Sequence, residues 1–262
     1  MKKLTQAQKS FNNLTAIFSA KGGVGKTTIL LNLAGVLSND KKVLIIDLDL
    51  FSGGIALCLN KVAKKTIYNF HLDMNKKNLD YKKYITKYND NIDFVGAPRS
   101  IEEGKKIDFK TVEKLIYETN LQYDIILFDL SHIYSDLNIK VLNLVSNVLY
   151  VMTNDPVDLK NSSNMIPLLK ENNNNLKVIL NYSIHRERNY YTLYDIKSVI
   201  NNNIDYTISH SFYNPNIDFI TVRGEIHSLN TKKFYDYKIF NLIAKDIVKE
   251  WFMKLEIILI TT

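Results

Sequence analysis

Short apolar runs alternate with longer amphipathic stretches along this chain. Residues 14–20, 43–47, 92–95, 123–129, 147–152 and 176–181 are dense in Val, Ile, Leu and Phe, with few polar interruptions. Continuous runs of this kind predict strands covered on both faces. A weaker strand is expected at 204–210. Between the runs, apolar residues recur at helical spacing. Helices are predicted at 28–37, 66–72, 79–88, 109–120, 137–145, 159–170 and 193–200, with a final amphipathic helix at 238–255. This rhythm predicts a single α/β domain: a mostly parallel, twisted sheet with helices on both faces. The domain is expected to span 14–256, between a flexible N-terminal segment (1–13) and an apolar C-terminal tail (257–262).

The first strand-to-helix connection reads Ala20-Lys21-Gly22-Gly23-Val24-Gly25-Lys26-Thr27-Thr28. Glycines let backbone N–H groups turn inward as an anion nest. The helix that follows points the positive end of its dipole at the same place. In such a loop Lys26 reaches the β- and γ-phosphates, and the Thr27 hydroxyl holds Mg²⁺. Lys21 adds a second charge aimed at the same phosphates. A Gly-rich turn that binds nothing is the plainer alternative, and the flanking strand and helix speak against it. The segment predicts a P-loop NTPase that binds ATP or ADP with Mg²⁺.

Ligands of open parallel sheets bind beyond the C-terminal strand ends. Asp47 and Asp49 close the second predicted strand, Asp129 closes the run 123–129, and Asn181 closes a later one. Asp129 is placed to orient Mg²⁺. Asp47 and Asp49 sit where a carboxylate can touch Mg²⁺ or polarise the attacking water. Each also has a plainer reading as a strand-end acid. His132, just beyond Asp129, reads first as a solvent-facing loop histidine and second as a sensor of phosphate state.

Composition narrows the classes. The 262 residues are 46% hydrophobic, enough for a sizeable core. A single cysteine, Cys58, excludes a disulfide framework, a Cys-rich zinc site and an iron–sulfur cluster held by several cysteines of one chain. It is expected to be buried or inert. The net charge of +7 favours acidic partners, nucleic acid or anionic membrane, although lysines are spread without a long basic run. No signal peptide is visible and no apolar run reaches the about 18 residues of a membrane span. A cytoplasmic protein is expected, with a peripheral place at the inner face of the membrane as an extension of that reading.

Taken together, Lys21 to Thr28, Asp47-Leu-Asp49 and the strand 123–129 resemble the deviant Walker-A ATPases of the MinD/ParA class. The resemblance implies an ATP-sandwich homodimer in which Lys21 reaches the partner subunit's phosphates. It also implies that Asp49 supports the hydrolytic water and that Asn181 contacts adenine. Finer features are similar to the CpaE/TadZ branch of Tad (Flp) pilus assembly. These are Asp47-Leu-Asp-Leu-Phe-Ser-Gly-Gly-Ile-Ala-Leu57, Phe94-Val-Gly-Ala-Pro98, Asp155-Pro-Val-Asp-Leu159, and the stretch from Asn214-Pro-Asn-Ile217 to Gly224-Glu-Ile226. One departure concerns the residues after Asp129, where the family often has proline and this chain reads Leu130-Ser131-His132.

The resulting expectation is a slowly hydrolysing dimeric switch ATPase, with Lys21, Lys26 and Asp49 catalytic, that positions a membrane-associated machine through a protein partner. The alternatives are a ParA-type partition ATPase that binds DNA and a MinD-like ATPase that binds membrane at the division site. For the first, His185, Arg186 and Arg188 lie among tyrosines; for the second, the last helix carries Trp251 and Leu255 on its apolar side.

Overall fold

The computed structural model describes residues 14–172, 175–182, 184, 191–212, 220, 222–230, 234 and 236–260, with backbone alone for 172 and 249–260. Eight strands form one sheet: β1 (Leu14–Phe18), β2 (Val43–Leu48), β3 (Thr86–Lys87), β4 (Ile92–Val95), β5 (Ile125–Leu130), β6 (Asn147–Met152), β7 (Leu176–Asn181) and β8 (Tyr206–Ile208). Their order is β3-β4-β2-β5-β1-β6-β7-β8, parallel throughout except where β3 pairs antiparallel with β4. β1 is therefore central, with β5 on one side and β6 on the other.

The strands are apolar on both faces because both faces are covered. Leu14, Ala16 and Phe18 enter one core with Leu44, Ile46, Ile126, Phe128, Val148, Tyr150, Val178 and Leu180. Their neighbours Ile17, Val43, Ile45, Ile125, Leu127, Leu149, Val151 and Ile179 enter the other. The first core is closed by α3 (Ile67–Asp73), α5 (Phe109–Thr119), α6 (Asp136–Leu144), α7 (Pro156–Asn172) and α8 (Leu193–Ile200). The second is closed by α1 (Lys26–Leu37), by α2 (Ile55–Cys58) and by α9 (Tyr237–Ile260), through Phe240, Ile243, Ala244 and Ile247. A further single turn, α4, spans Ile101–Gly104.

Most predicted elements appear within two residues of their expected ends. Residues 79–88 differ: a 3₁₀ turn at Tyr81–Tyr84 leads into β3 rather than one helix. The cause is local turn chemistry. The Asn89 side chain accepts from the backbone N–H groups of Asn91 (2.9 Å) and Ile92 (2.7 Å), which turns the chain back into a hairpin. The last helix runs to Ile260, through much of the stretch read as a separate tail. Residues 1–13, His185, Arg186, Arg188 and Asn214 to Ile217 lie outside the described residues, as do the side chains of Trp251 and Leu255.

Candidate nucleotide site

The loop between β1 and α1 lies at the C-terminal end of the central strand, where an open parallel sheet offers its crevice. Gly23 (φ 74°) and Gly25 (φ 92°) hold left-handed backbone, which only glycine adopts freely. Nothing lies within 4 Å of where a Gly23 side chain would stand, so the nest is open there. α1 starts with no side-chain cap and no acid in its first turn. By contrast α3, α5, α6 and α8 are capped by Thr66, Asp108, Ser135 and Thr192. The bare first-turn N–H groups of α1 suit an anion.

Lys26 is committed to the loop interior. Its ammonium donates to the Ser19 hydroxyl (3.1 Å), which in turn donates to the Lys21 carbonyl (2.6 Å). Burial lowers its pKa, against the raising influence of Asp129, Asp49 and Asp158. A phosphate arriving here meets an ammonium that has already been desolvated.

Lys21 stands elsewhere. Its side chain, 33% exposed, pairs with Asp155 at the start of α7, Nζ to Oδ1 3.0 Å. Partial burial pushes the Asp155 carboxyl up, but the Lys21 hydrogen bond and the N–H groups of Asp158 and Val157 outweigh it and hold it low. Ser19 and Asp155 were not singled out from the sequence as site residues. Their only signals are a hydroxyl just before the loop and an Asp-Pro at a helix start.

β2 and β5 place Asp47 opposite Asp129 in register. The Thr27 hydroxyl donates to Asp129 Oδ2 at 2.6 Å. Asp129 Oδ1 is buried and has no hydrogen-bond partner among the described residues. Burial raises the Asp129 carboxyl to about 6, opposed by Thr27 and Lys26 and reinforced by Asp49. Asp47 is pushed well above the usual carboxylate range by burial and then by Asp129. It accepts from the N–H groups of Asp49 and Ile55, both at 3.2 Å, and so shapes the loop that carries half-buried Asp49.

A hydroxyl and an orphaned carboxylate oxygen form a hard oxygen set that fits Mg²⁺. No cluster of three His, Cys, Asp or Glu suited to a metal occurs among the described residues. Mg²⁺ characteristically keeps waters and phosphate oxygens among its ligands. Bound beside Thr27 and Asp129, it would neutralise charge on the outer phosphates.

Asn181 at the end of β7 donates its amide to the Val24 carbonyl (2.9 Å), bracing the loop from behind. A methyl group at Gly25 would meet that amide at 2.7 Å. Gly25→Ala should therefore cost the roughly 1–2 kcal/mol of left-handed strain, and more for the clash. Thermal unfolding should show a lowered Tm and no response to ATP; a normal ATP response would contradict this account of the loop. The ring of exposed His132 lies beside the loop, 3.5 Å from where a Gly22 methyl would stand. Half-buried Cys58 is a free thiol pushed up to about 11 by burial, which agrees with an inert residue.

An uncharacterized ATP-binding protein of Methanocaldococcus jannaschii is 29% identical over 113 residues, 43% of this chain and 41% of that protein. The chain thus spans less than half the length of that relative. The ParA family ATPase of Chlorobium tepidum superposes with a TM-score of 0.78 at 21% identity, covering 89% of this chain and 98% of that one. The septum site-determining protein MinD of Pyrococcus horikoshii, solved with Mg-ADP, gives 0.74 at 21% identity, covering 92% and 98%. The sheet and its helices are those of the ParA and MinD P-loop fold. The AAA domain family model matches residues 12–184, loop and acids included, and the chain belongs to that family.

Proposed function

We propose that this protein is an ATP-controlled dimeric switch that slowly hydrolyses ATP and positions a membrane-associated assembly, such as a Tad/Flp pilus or secretion apparatus. The observation that carries the reading is the division of labour between two lysines. Lys26 is buried in the loop, whereas Lys21 is held at the surface by one ion pair with Asp155. The lysine side of the pair is a third exposed, so Lys21 can exchange Asp155 for another anion. Its new partner is the phosphate group of a nucleotide held by a second copy, which closes an ATP sandwich. The Mg-ADP held by the Pyrococcus horikoshii protein supports the same ligand class for this chain.

Within one subunit, Lys26 and the α1 N–H groups bind the phosphates. Asp129 and Thr27, with Asp47 beside them, hold Mg²⁺. Asn181 lies beside the loop and, by family resemblance, contacts adenine. Asp49 orients the attacking water. Asp49→Ala should lower phosphate release roughly a hundredfold while ATP still binds, the size expected for a lost general base. A variant that turns over at the wild-type rate removes Asp49 from the mechanism.

The loop Asp47 to Leu57 supports the pilus-assembly branch. No helix among the described residues is long and apolar enough to cross a membrane. Co-sedimentation with DNA and with anionic liposomes, each with ATP and with ADP, tests what the dimer presents. Pelleting with neither supports a protein partner. ATP-dependent pelleting with DNA moves the function to partition, and with liposomes to a MinD-like membrane switch.

A further inference from the structure

We infer that His132 is a phosphate-reading residue: its imidazole lies beside the loop and distinguishes a nucleoside triphosphate from a diphosphate. This rests on the nucleotide-binding reading above and adds a residue to it.

Position is the first observation. The His132 ring lies against Gly22, with Cε1 and Nδ1 each 3.5 Å, and Cγ 3.9 Å, from where a methyl on that glycine would stand. The inner phosphates of a P-loop ligand meet the N–H groups at the helix start, here α1, and the lysine of the loop takes the outer ones. Gly22 stands at the other end of the loop from the helix start, next to Lys21 in the chain. A group against Gly22 therefore faces the outer end of the phosphate chain.

Presentation is the second. Asn138 of α6, only 1% exposed, donates its amide to the Ser131 carbonyl (3.3 Å), the Ser131 hydroxyl (3.0 Å) and the Ile133 carbonyl (2.8 Å). Both neighbours of His132 are thus tied to the same buried amide. The imidazole itself stays exposed while its backbone is fixed. It follows Asp129, whose Oδ2 is bonded to Thr27, so its strand end is already part of the phosphate site. An imidazole donates a hydrogen bond from a ring N–H and, once protonated, adds charge. A terminal phosphate beside Gly22 gains that bond, and a diphosphate does not reach it.

The test compares affinities of the full chain for a non-hydrolysable ATP analogue and for ADP, each with Mg²⁺, by calorimetry. In His132→Ala the preference for triphosphate should fall about tenfold with ADP affinity held within about twofold, the size of one lost charge-assisted hydrogen bond. His132→Gln, which keeps a donor, should recover most of the preference. In the wild-type protein the His132 Cε1 proton resonance should move with the ATP analogue and not with ADP. An unchanged preference in His132→Ala overturns the inference. So does equal weakening of both nucleotides, which marks a loop-packing role. A wild-type protein that binds neither nucleotide overturns the nucleotide reading itself, an outcome the same titration separates from the other two.

Discussion

Lys26→Met is expected to weaken ATP binding roughly a hundredfold, the size of two charge-assisted hydrogen bonds to phosphate. The same change should barely alter the fold. Lys26 is 8% exposed and burial penalises its charge, while Asp129, Asp49 and Asp158 favour it. Removing the ammonium relieves the first effect and loses the second, and methionine keeps the stem packed. The empty variant should melt within about 3 °C of wild type, the shift that ~1 kcal/mol produces in a domain of this size. Thermal unfolding shows both effects together. A ligand at a hundred times its Kd stabilises by about 2.7 kcal/mol, which wild type should display, whereas at the same ATP concentration Lys26→Met should keep only about 0.4 kcal/mol. A variant that responds to ATP as fully as wild type would mean that the loop is not the nucleotide site.

The second large effect belongs to Asp129. Its carboxyl sits at about 6 in the folded chain, against an ordinary value of 3.8. Between those values the folded state holds the extra proton, so stability falls as pH rises through the window and the deficit is complete above it. Asp129→Asn removes the deficit and keeps an oxygen for Thr27. At neutral pH the empty variant should be more stable than wild type by on the order of 2 kcal/mol, with a flatter profile between about pH 4 and pH 6. Buried Asp47, pushed up partly by Asp129, gains in the same direction. The cost falls on the ligand side: Mg²⁺ should no longer strengthen nucleotide binding, because the orphaned carboxylate oxygen is gone. Chemical denaturation across pH, paired with Mg²⁺ titration at fixed ATP, checks both signs. A variant less stable than wild type at neutral pH contradicts the burial argument.

The strands and the phosphate loop were legible because their signals are local. Apolar runs such as 125–130 announce a strand covered on both sides, and the glycines at 22, 23 and 25 announce a nest. The strand-end places of Asp47 and Asp129 could be read from their runs, but that the two acids stand opposite each other follows from β2 pairing with β5, which only the register shows. What stayed hidden depends on partners distant in sequence or on single side chains. The Lys21–Asp155 pair joins the loop after β1 to the start of α7. The hairpin at β3 hangs on the side chain of Asn89. His132 could be named as a residue of interest, but its seat against Gly22 follows from how Asn138 pins the loop on either side.

The central claim is that Lys21 turns a bound nucleotide into a dimer contact. Its most direct test is the solution mass by light scattering, for wild type and Lys21→Ala, with ATP and Mg²⁺ and with ADP and Mg²⁺. The account predicts that wild type doubles its mass with ATP alone and that Lys21→Ala binds ATP yet stays a monomer. A wild-type mass that ignores ATP, or a dimer that survives Lys21→Ala, would contradict it.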